Sequence, residues 1–269
     1  MNNYYSPKEI TNEFAASGIR KLSLPASKFI IIAILGGAFI ALGGLLSVVV
    51  AGGMPGIGVD NPGLVKWMAG ILFPVGLIMV SVTGADLFTS DCTAFTLPLL
   101  EKKLRFTLFL KGLFLSYVFN FVGTQIVAYA LSSHLGYFSK EPWQGYLFHY
   151  AEAKVYQEWG NVFIKGIGAN WLVCLGMFMG YAAKDIMGKC IGIWIPVMIF
   201  VTLGYEHSIA NMFFIPAAIY SGASITWGDF ILMNLIPATL GNLIGGALFV
   251  GCAYWYLYLY KDNQKDGSR

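Results

Sequence analysis

The chain alternates long uncharged stretches with short polar ones. No charged residue lies between Lys28 and Asp60, Lys66 and Asp86, Lys111 and His134, Lys165 and Lys184, or Asp229 and Lys261, and each interval holds 18 residues or more. A helix rises ~1.5 Å per residue and needs roughly 20 residues to cross a hydrocarbon core ~30 Å thick, so each interval predicts one membrane span. A sixth is expected between Lys189 and Asp229, where only Glu206 and His207 interrupt the apolar run. That interval is too long for one span and barely long enough for two with a turn, so it reads as one broken span with a short re-entrant partner.

The spans are expected over 29–51, from Trp67 onward, after Lys111, over 162–183, from Cys190 and over 230–258. Two of them carry polar islands. Asp86, Thr89, Ser90 and Asp91 end the second and are followed by a short apolar stretch, CTAFTLPLL. Irregular backbone at membrane depth survives only against protein or a water-filled cavity, which predicts a break over 87–90. The fifth is interrupted by GYEHSIANM, 204–212, and resumes as FFIPAAIY. Pro74, inside span two, is tolerable where neighbouring helices satisfy the freed carbonyl. The 134–160 segment reads as a polar loop, and YWYLYLY near the end of span six suits an interfacial aromatic belt.

The two islands fall into a repeat. Gly84-Ala85-Asp86 in span two matches Gly204-Tyr205-Glu206 in span five, and Asn120-Phe121-Val122-Gly123 in span three matches Asn242-Leu243-Ile244-Gly245 in span six. Three spans separate each element from its counterpart, and an odd number forces the halves into opposite orientations. The expected fold is an all-α membrane protein of six transmembrane helices with an inverted three-helix repeat, spans two and five broken.

Composition agrees: 57% of residues are apolar and 12% charged, with mean hydropathy +0.66. Placing both termini inside puts thirteen Lys and Arg on cytoplasmic segments and four (Lys66, Lys140, Lys154, Lys165) outside, as the positive-inside tendency requires for an even number of crossings. The net charge of +3 follows from this bias, and no basic patch suggests nucleic acid. Residues 1–28 mix Glu9 and Glu13 with basic residues, unlike a cleavable signal. They are expected to form a cytoplasmic amphipathic helix along the membrane surface, with Ile10, Phe14, Ser17 and Lys21 on one side. Residues 29–260 form the six-span domain and 261–269 a cytoplasmic tail, in a multi-pass protein of the cell (inner) membrane. Cys92, Cys174, Cys190 and Cys252 show no ligand spacing and read as small buried hydrophobes, and no metal or cofactor is expected.

His207 is the most informative residue, an ionisable group at membrane depth beside Glu206 and Ser208. A neutral imidazole can donate to a passing anion, and the dipole of a broken helix turns toward the same space. Alternatively His207 and Glu206 form a structural hydrogen-bonded pair that fixes the break. Glu206 is expected to point away from the path and to anchor the break to backbone amides. Thr89, Asn170 and Asn211 are uncharged hydrogen-bonders near the same depth, able to orient His207 or to join helices. Phe73, Leu77, Leu87 and Phe200 are by default core or lipid-facing; on a pore wall they would be hydrophobic constrictions. Lys154, in HYAEAKVYQEW, is a surface lysine or, if buried, an anion attractor in a vestibule.

GADLFTS at 84–90, AEAKV at 151–155, NWLVCL at 170–175, GYEHSIANMFFIP at 204–216 and IPATLGNLIGGALFVG at 236–251 resemble the formate/nitrite transporter family, in its order and over most of the chain. The resemblance implies an aquaporin-like fold in a homopentamer, one pore per protomer. It places the family's central histidine at His207, its partners at Thr89 and Asn170 and the vestibule lysine at Lys154. An outer constriction would fall on Phe73 and Leu77, an inner one on Leu87 and Phe200. Formate, nitrite and hydrosulfide members share these motifs, so the substrate is expected to be a small monovalent anion, formate before the others. It would be gathered by Lys154 and would cross as, or with, a proton. A water or glycerol channel is disfavoured because paired NPA motifs are missing, Asn61-Pro62-Gly63 being a single near-match. An intramembrane enzyme or haem protein is disfavoured because Ser208 and Ser224 offer no Ser/His geometry on separate helices and paired histidines within spans are lacking.

Overall fold

The computed structural model describes residues 4–260. The tail 261–269 lies outside the described residues. Helix α1 (Pro7–Leu22) precedes α2 (Ala26–Gly52), a turn of helix α3 (Pro55–Asp60), and a span kinked at Pro74 into α4 (Pro62–Leu72) and α5 (Val75–Thr83). After a break come α6 (Phe88–Ala94) and α7 (Thr96–Leu100), then α8 (Phe106–Gln125), which continues through π turns over Ile126–Ser133. The second half repeats this order as α9 (Trp143–Val155), α10 (Trp159–Ala182), α11 (Ile186–Thr202), a break, α12 (Ser208–Tyr220) and a last helix α13 (Trp227–Tyr258). Among the described residues five helices are long and apolar enough to cross a membrane, and α11 with α12 supplies the sixth crossing.

The repeat extends into the hydrogen bonds. Asn120 of α8 accepts from Phe88 N and donates to the carbonyls of Ala33 and Asp86; Asn242 of α13 accepts from Ser208 N and donates to those of Gly166 and Glu206. One side chain thus satisfies the backbone groups that each break frees, and buried groups left without partners would cost ~1–3 kcal/mol each. Each break starts at a left-handed glycine, Gly84 (φ 76°) and Gly204 (φ 70°), a conformation side-chain-bearing residues enter only at a cost of ~1–2 kcal/mol. The helix pairs close on small residues too. A Cβ on Gly123 would lie 1.9 Å from the Ile34 carbonyl oxygen, and one on Gly245 would lie 2.3 Å from that of Ile167. Between these pairs sit α6, buried throughout, and α12, buried from Ser208 to Ala218.

Several boundaries move. The first break falls over 84–87, and Thr89 and Ser90 are already helical because Asn120 caps the chain at Phe88. The second falls over 203–207, so Ser208 to Met212 are helix. Helix α8 begins five residues before Lys111, whose exposed side chain can extend toward water from within a span. Helix α9, 13 residues long, takes up about half of the 134–160 segment. The apolar side of helix α1 faces protein: Ile10, Phe14 and Ser17 are buried, and the helix packs on α6, α7 and α10. Cys92 and Cys174 are buried as expected, whereas Cys190 and Cys252 are half-buried.

Candidate transport pore

The two breaks bring His207 and Thr89 together. The Ala210 backbone N–H donates to His207 Nδ1 at 3.0 Å, so the imidazole itself caps α12. That bond assigns the neutral ring's proton to Nε2, which lies 3.0 Å from Thr89 Oγ1 and donates to it. A second proton, at Nδ1, would set two donors face to face and uncap the helix. Asn170 does not touch the ring. Its Nδ2 donates to the Thr89 and Asn242 carbonyls at 3.0 and 2.6 Å, which fixes the backbone that presents Thr89.

On one side of this pair lies an open vestibule of about 720 Å³, whose wall includes His149, Lys154, Lys165 and Glu206. Lys154 is 6% exposed and bonds Glu206 Oε2 at 3.0 Å. Glu206 is therefore not turned away onto backbone amides: Gln157, Asn211 and Asn234 also donate to its carboxylate, at 3.0, 2.7 and 3.2 Å. Lys165 donates in turn to Gln157 Oε1. Asn211 orients Glu206 rather than His207.

Between this vestibule and His207 is a pinch of about 10 Å³, walled by the rings of Phe73, Tyr150, Phe200 and Phe214 with Lys154 and Asn211 among its lining, room for one water at most. Phe200 packs edge-on to Phe73 at 5.9 Å and stacks with the His207 ring at 5.7 Å. It belongs with Phe73, not with Leu87 on the far side, because α11 runs toward the break and sets its last turns beside α4. Leu77 and Leu87 are buried, and Leu87 holds in the first break the position that His207 holds in the second.

The opposite side carries a second vestibule, about 820 Å³, lined by α1, α5 and α10. There Lys21 contacts Asp86 at 2.8 Å and Asp91 at 2.7 Å. This is the repeat's counterpart of Lys154 and Glu206; the sequence places Lys21 among the inside charges and on one side of the N-terminal helix with Ile10, Phe14 and Ser17, without pairing it to these acids. The repeat could have exposed it, since Lys21 precedes Ala33 by as much as Lys154 precedes Gly166. Asn120 and Asn242 were legible as repeat markers, though not as the caps of the breaks. No Ser/His pair forms, for His207 spends Nε2 on Thr89 and the Ser208 hydroxyl is buried without a partner.

Two half-helices meeting at a polar midpoint, with a vestibule at each end and spans around them, define a membrane channel or transporter of inverted-repeat design. A family model described as "Formate/nitrite transporter" matches residues 8–256, and the chain belongs to that family. It is 41% identical to a "Probable formate transporter" of Methanothermobacter thermautotrophicus, covering 96% of this chain and 98% of that one. Among solved structures, an "FNT family ion channel" aligns with TM-score 0.85 at 28% identity (93% and 98% covered), and a "Pentameric formate channel with formate bound" with TM-score 0.76 at 29% (87% and 98% covered). The protein is an integral membrane channel or transporter, and its relatives are transport proteins rather than enzymes.

Proposed function

We propose that the chain forms a homopentamer in the cell membrane, both termini cytoplasmic, with a pore in each protomer that passes formate as the neutral acid. The carrying observation is the Thr89–His207 contact, reached from one side only through an aromatic pinch wide enough for a single water. A bare carboxylate in such a pinch would forfeit most of its hydration, and the one ammonium beside it, Lys154, is already paired with Glu206, so entry as the anion is costly. Its neutral acid avoids most of that cost.

The vestibule residues suit this path. Lys154 raises the local anion concentration, and Glu206 and the amides around it keep the ammonium in place. Water supplies the proton, since His207 keeps Nδ1 committed to Ala210. Within the pinch the Asn211 Oδ1, which has no protein partner, accepts from the acid's O–H. Beyond it the Thr89–His207 pair offers a donor to the acid's carbonyl. Support for formate comes from relatives named as formate transporters and from the formate-bound pentamer; nitrite and hydrosulfide remain the competing substrates of the same path.

The test is uptake of labelled formate by proteoliposomes. At pH 7 about one in a thousand carboxyls with a pKa near ~4 is neutral, and the fraction grows about tenfold per pH unit down to ~5. Initial rates should rise with it, and Thr89→Val should lower them at every pH. Rates flat from about pH 5 to about pH 8, or equal in Thr89→Val, would refute the proposal.

A further inference from the structure

Behind the Lys21 vestibule, two acids share one base. Asp86 and Asp91 are both 0% exposed, and both contact the one ammonium of Lys21, so their near oxygens lie no further apart than those two contacts laid end to end. The other cations around this vestibule are engaged elsewhere: Lys189, from α11, lies over the Tyr181 ring at 5.9 Å and Lys184 over the Tyr5 ring at 4.7 Å, while Glu9 is bonded to Ser6. On α1, Arg20 is engaged with the exposed Glu13. Helix α10 brings Tyr181 beside Lys21 and Cys174, whose thiol donates to the Thr89 carbonyl; α6 adds Cys92, bonded to the Phe88 carbonyl. Past α7, Glu101 pairs with Lys103. From α8 comes Tyr117, packed on Phe88, and from α13 the uncharged Asn242; the neutral His207 ring caps α12.

The other half shows how the same place is filled without surplus charge. Asn211 stands five positions after Glu206, as Asp91 stands five after Asp86. Asn211 Nδ2 donates to the Glu206 carboxylate at 2.7 Å. A carboxylate at 91 cannot donate; a carboxylic acid can. Two ionised carboxyls on one ammonium would leave a net negative charge out of water. They would also leave Asp86 Oδ2 and Asp91 Oδ2 without the hydrogen-bond partners that neither has from the protein. One added proton removes both deficits. It neutralises the triad and places an O–H donor where the repeat has an amide.

We propose that Asp86 and Asp91 bind one shared proton at neutral pH, forming a buried proton-binding site behind Lys21, which lines the vestibule. A single O–H bond forms on one carboxyl and hydrogen-bonds to the other; water is the source and the sink. When the pair releases the proton the triad passes from neutral to −1, and an anion entering from this side is repelled. The Lys154 vestibule has no second acid on its lysine and lacks this response.

The experiment is difference infrared spectroscopy of the full-length protein in lipid between about pH 5 and about pH 9, read at the carbonyl stretch of neutral carboxylic acids. Wild type should show at neutral pH one such band per protomer that is absent from Asp91→Asn and from Asp86→Asn, since either variant leaves one carboxylate on one lysine. Two variants are used so that poor folding of one does not decide the matter. A wild type without the band, or a band surviving in either folded variant, overturns the proposal. The spectroscopic result is independent of what the pore carries. The effect on flux rests on the pore reading: formate entering from the Lys21 face near pH 9 should be about fourfold faster in Asp91→Asn, the weight of one unit charge ~5 Å away in water.

Discussion

Lys154→Met tests whether the vestibule lysine is held by charge. The ammonium it removes is buried and lies 3.0 Å from a carboxylate that is 1% exposed. Removing one partner of a buried pair costs about 3–5 kcal/mol, most of it the penalty of the charge left behind. Three amides, from Gln157, Asn211 and Asn234, still donate to Glu206 in the variant, and the site opens onto a water-filled vestibule. Both features place the loss at the low end, about 3 kcal/mol. For a protomer of this length that is a fall of roughly 6–12 °C in the unfolding midpoint.

Adding Glu206→Gln to Lys154→Met should restore most of it. The side-chain oxygen of the new amide can still accept from Asn211 and Asn234, while its NH₂ would meet the Gln157 amide, which cannot turn to accept without losing Lys165. Recovery is therefore expected to be large and incomplete. Glu206→Gln alone strands the ammonium and should be worse than the double variant. The assay is thermal unfolding of the purified protein in one detergent across wild type, both single variants and the double. A Lys154→Met protein as stable as wild type, or a second substitution that adds further loss, would refute the buried-pair account.

Three further outcomes can be checked on the same material. Gly84→Ala and Gly204→Ala should each cost about 1–2 kcal/mol and should match one another, because each added Cβ meets nothing within 4 Å and only the backbone is strained. Gly123→Ala, whose Cβ would reach the Ile34 carbonyl, should sharply reduce the yield of folded protein. At the start of α1, Ser6 Oγ and N–H both donate to the Glu9 carboxylate, at 2.6 and 2.7 Å, holding its pKa below the usual carboxylate range. Because that pKa is lowered, the cap's contribution is present above the ordinary carboxylate pKa of about 4 and lost as pH falls through the lowered value. Protection of the first α1 amides against hydrogen exchange, corrected for intrinsic rate, should drop in that acid window in wild type and show a smaller step in Ser6→Ala, which keeps only the backbone N–H on Glu9.

The number of spans, the two breaks and the repeat were legible because each rests on a pattern local to the sequence: charge-free lengths, polar islands and short matched motifs. The positions of the breaks were not, because they depend on Asn120 and Asn242, which reach from other helices to cap Phe88 and Ser208. Phe200 was assigned to the wrong side for a related reason. Its depth follows from where α11 runs beside α4, a fact of packing invisible in the order of residues. Lys21 was hidden by its company, since a lysine on a short basic helix is ordinarily solvated and only its contact with Asp86 and Asp91 marks it out.

The repeat duplicates the scaffold but not the chemistry placed on it. Each half supplies a left-handed glycine, a capping asparagine, an acid just before the half-helix and a lysine from the helix preceding its first span. At the positions that meet in the middle the halves diverge: Leu87 stands where His207 stands, and Thr89 where Ile209 stands. The histidine takes its hydroxyl partner from the other half, so neither half alone contains the Thr89–His207 contact. A pore with His207 mirrored at 87 would set two imidazoles across one narrow and make it welcoming to cations and water. Leu87, fully buried, occupies that place instead, so the centre carries a single imidazole beside a single hydroxyl. On the pore we propose, this asymmetry within a symmetric frame leaves one polar step, which a small neutral acid can take and a hydrated ion cannot.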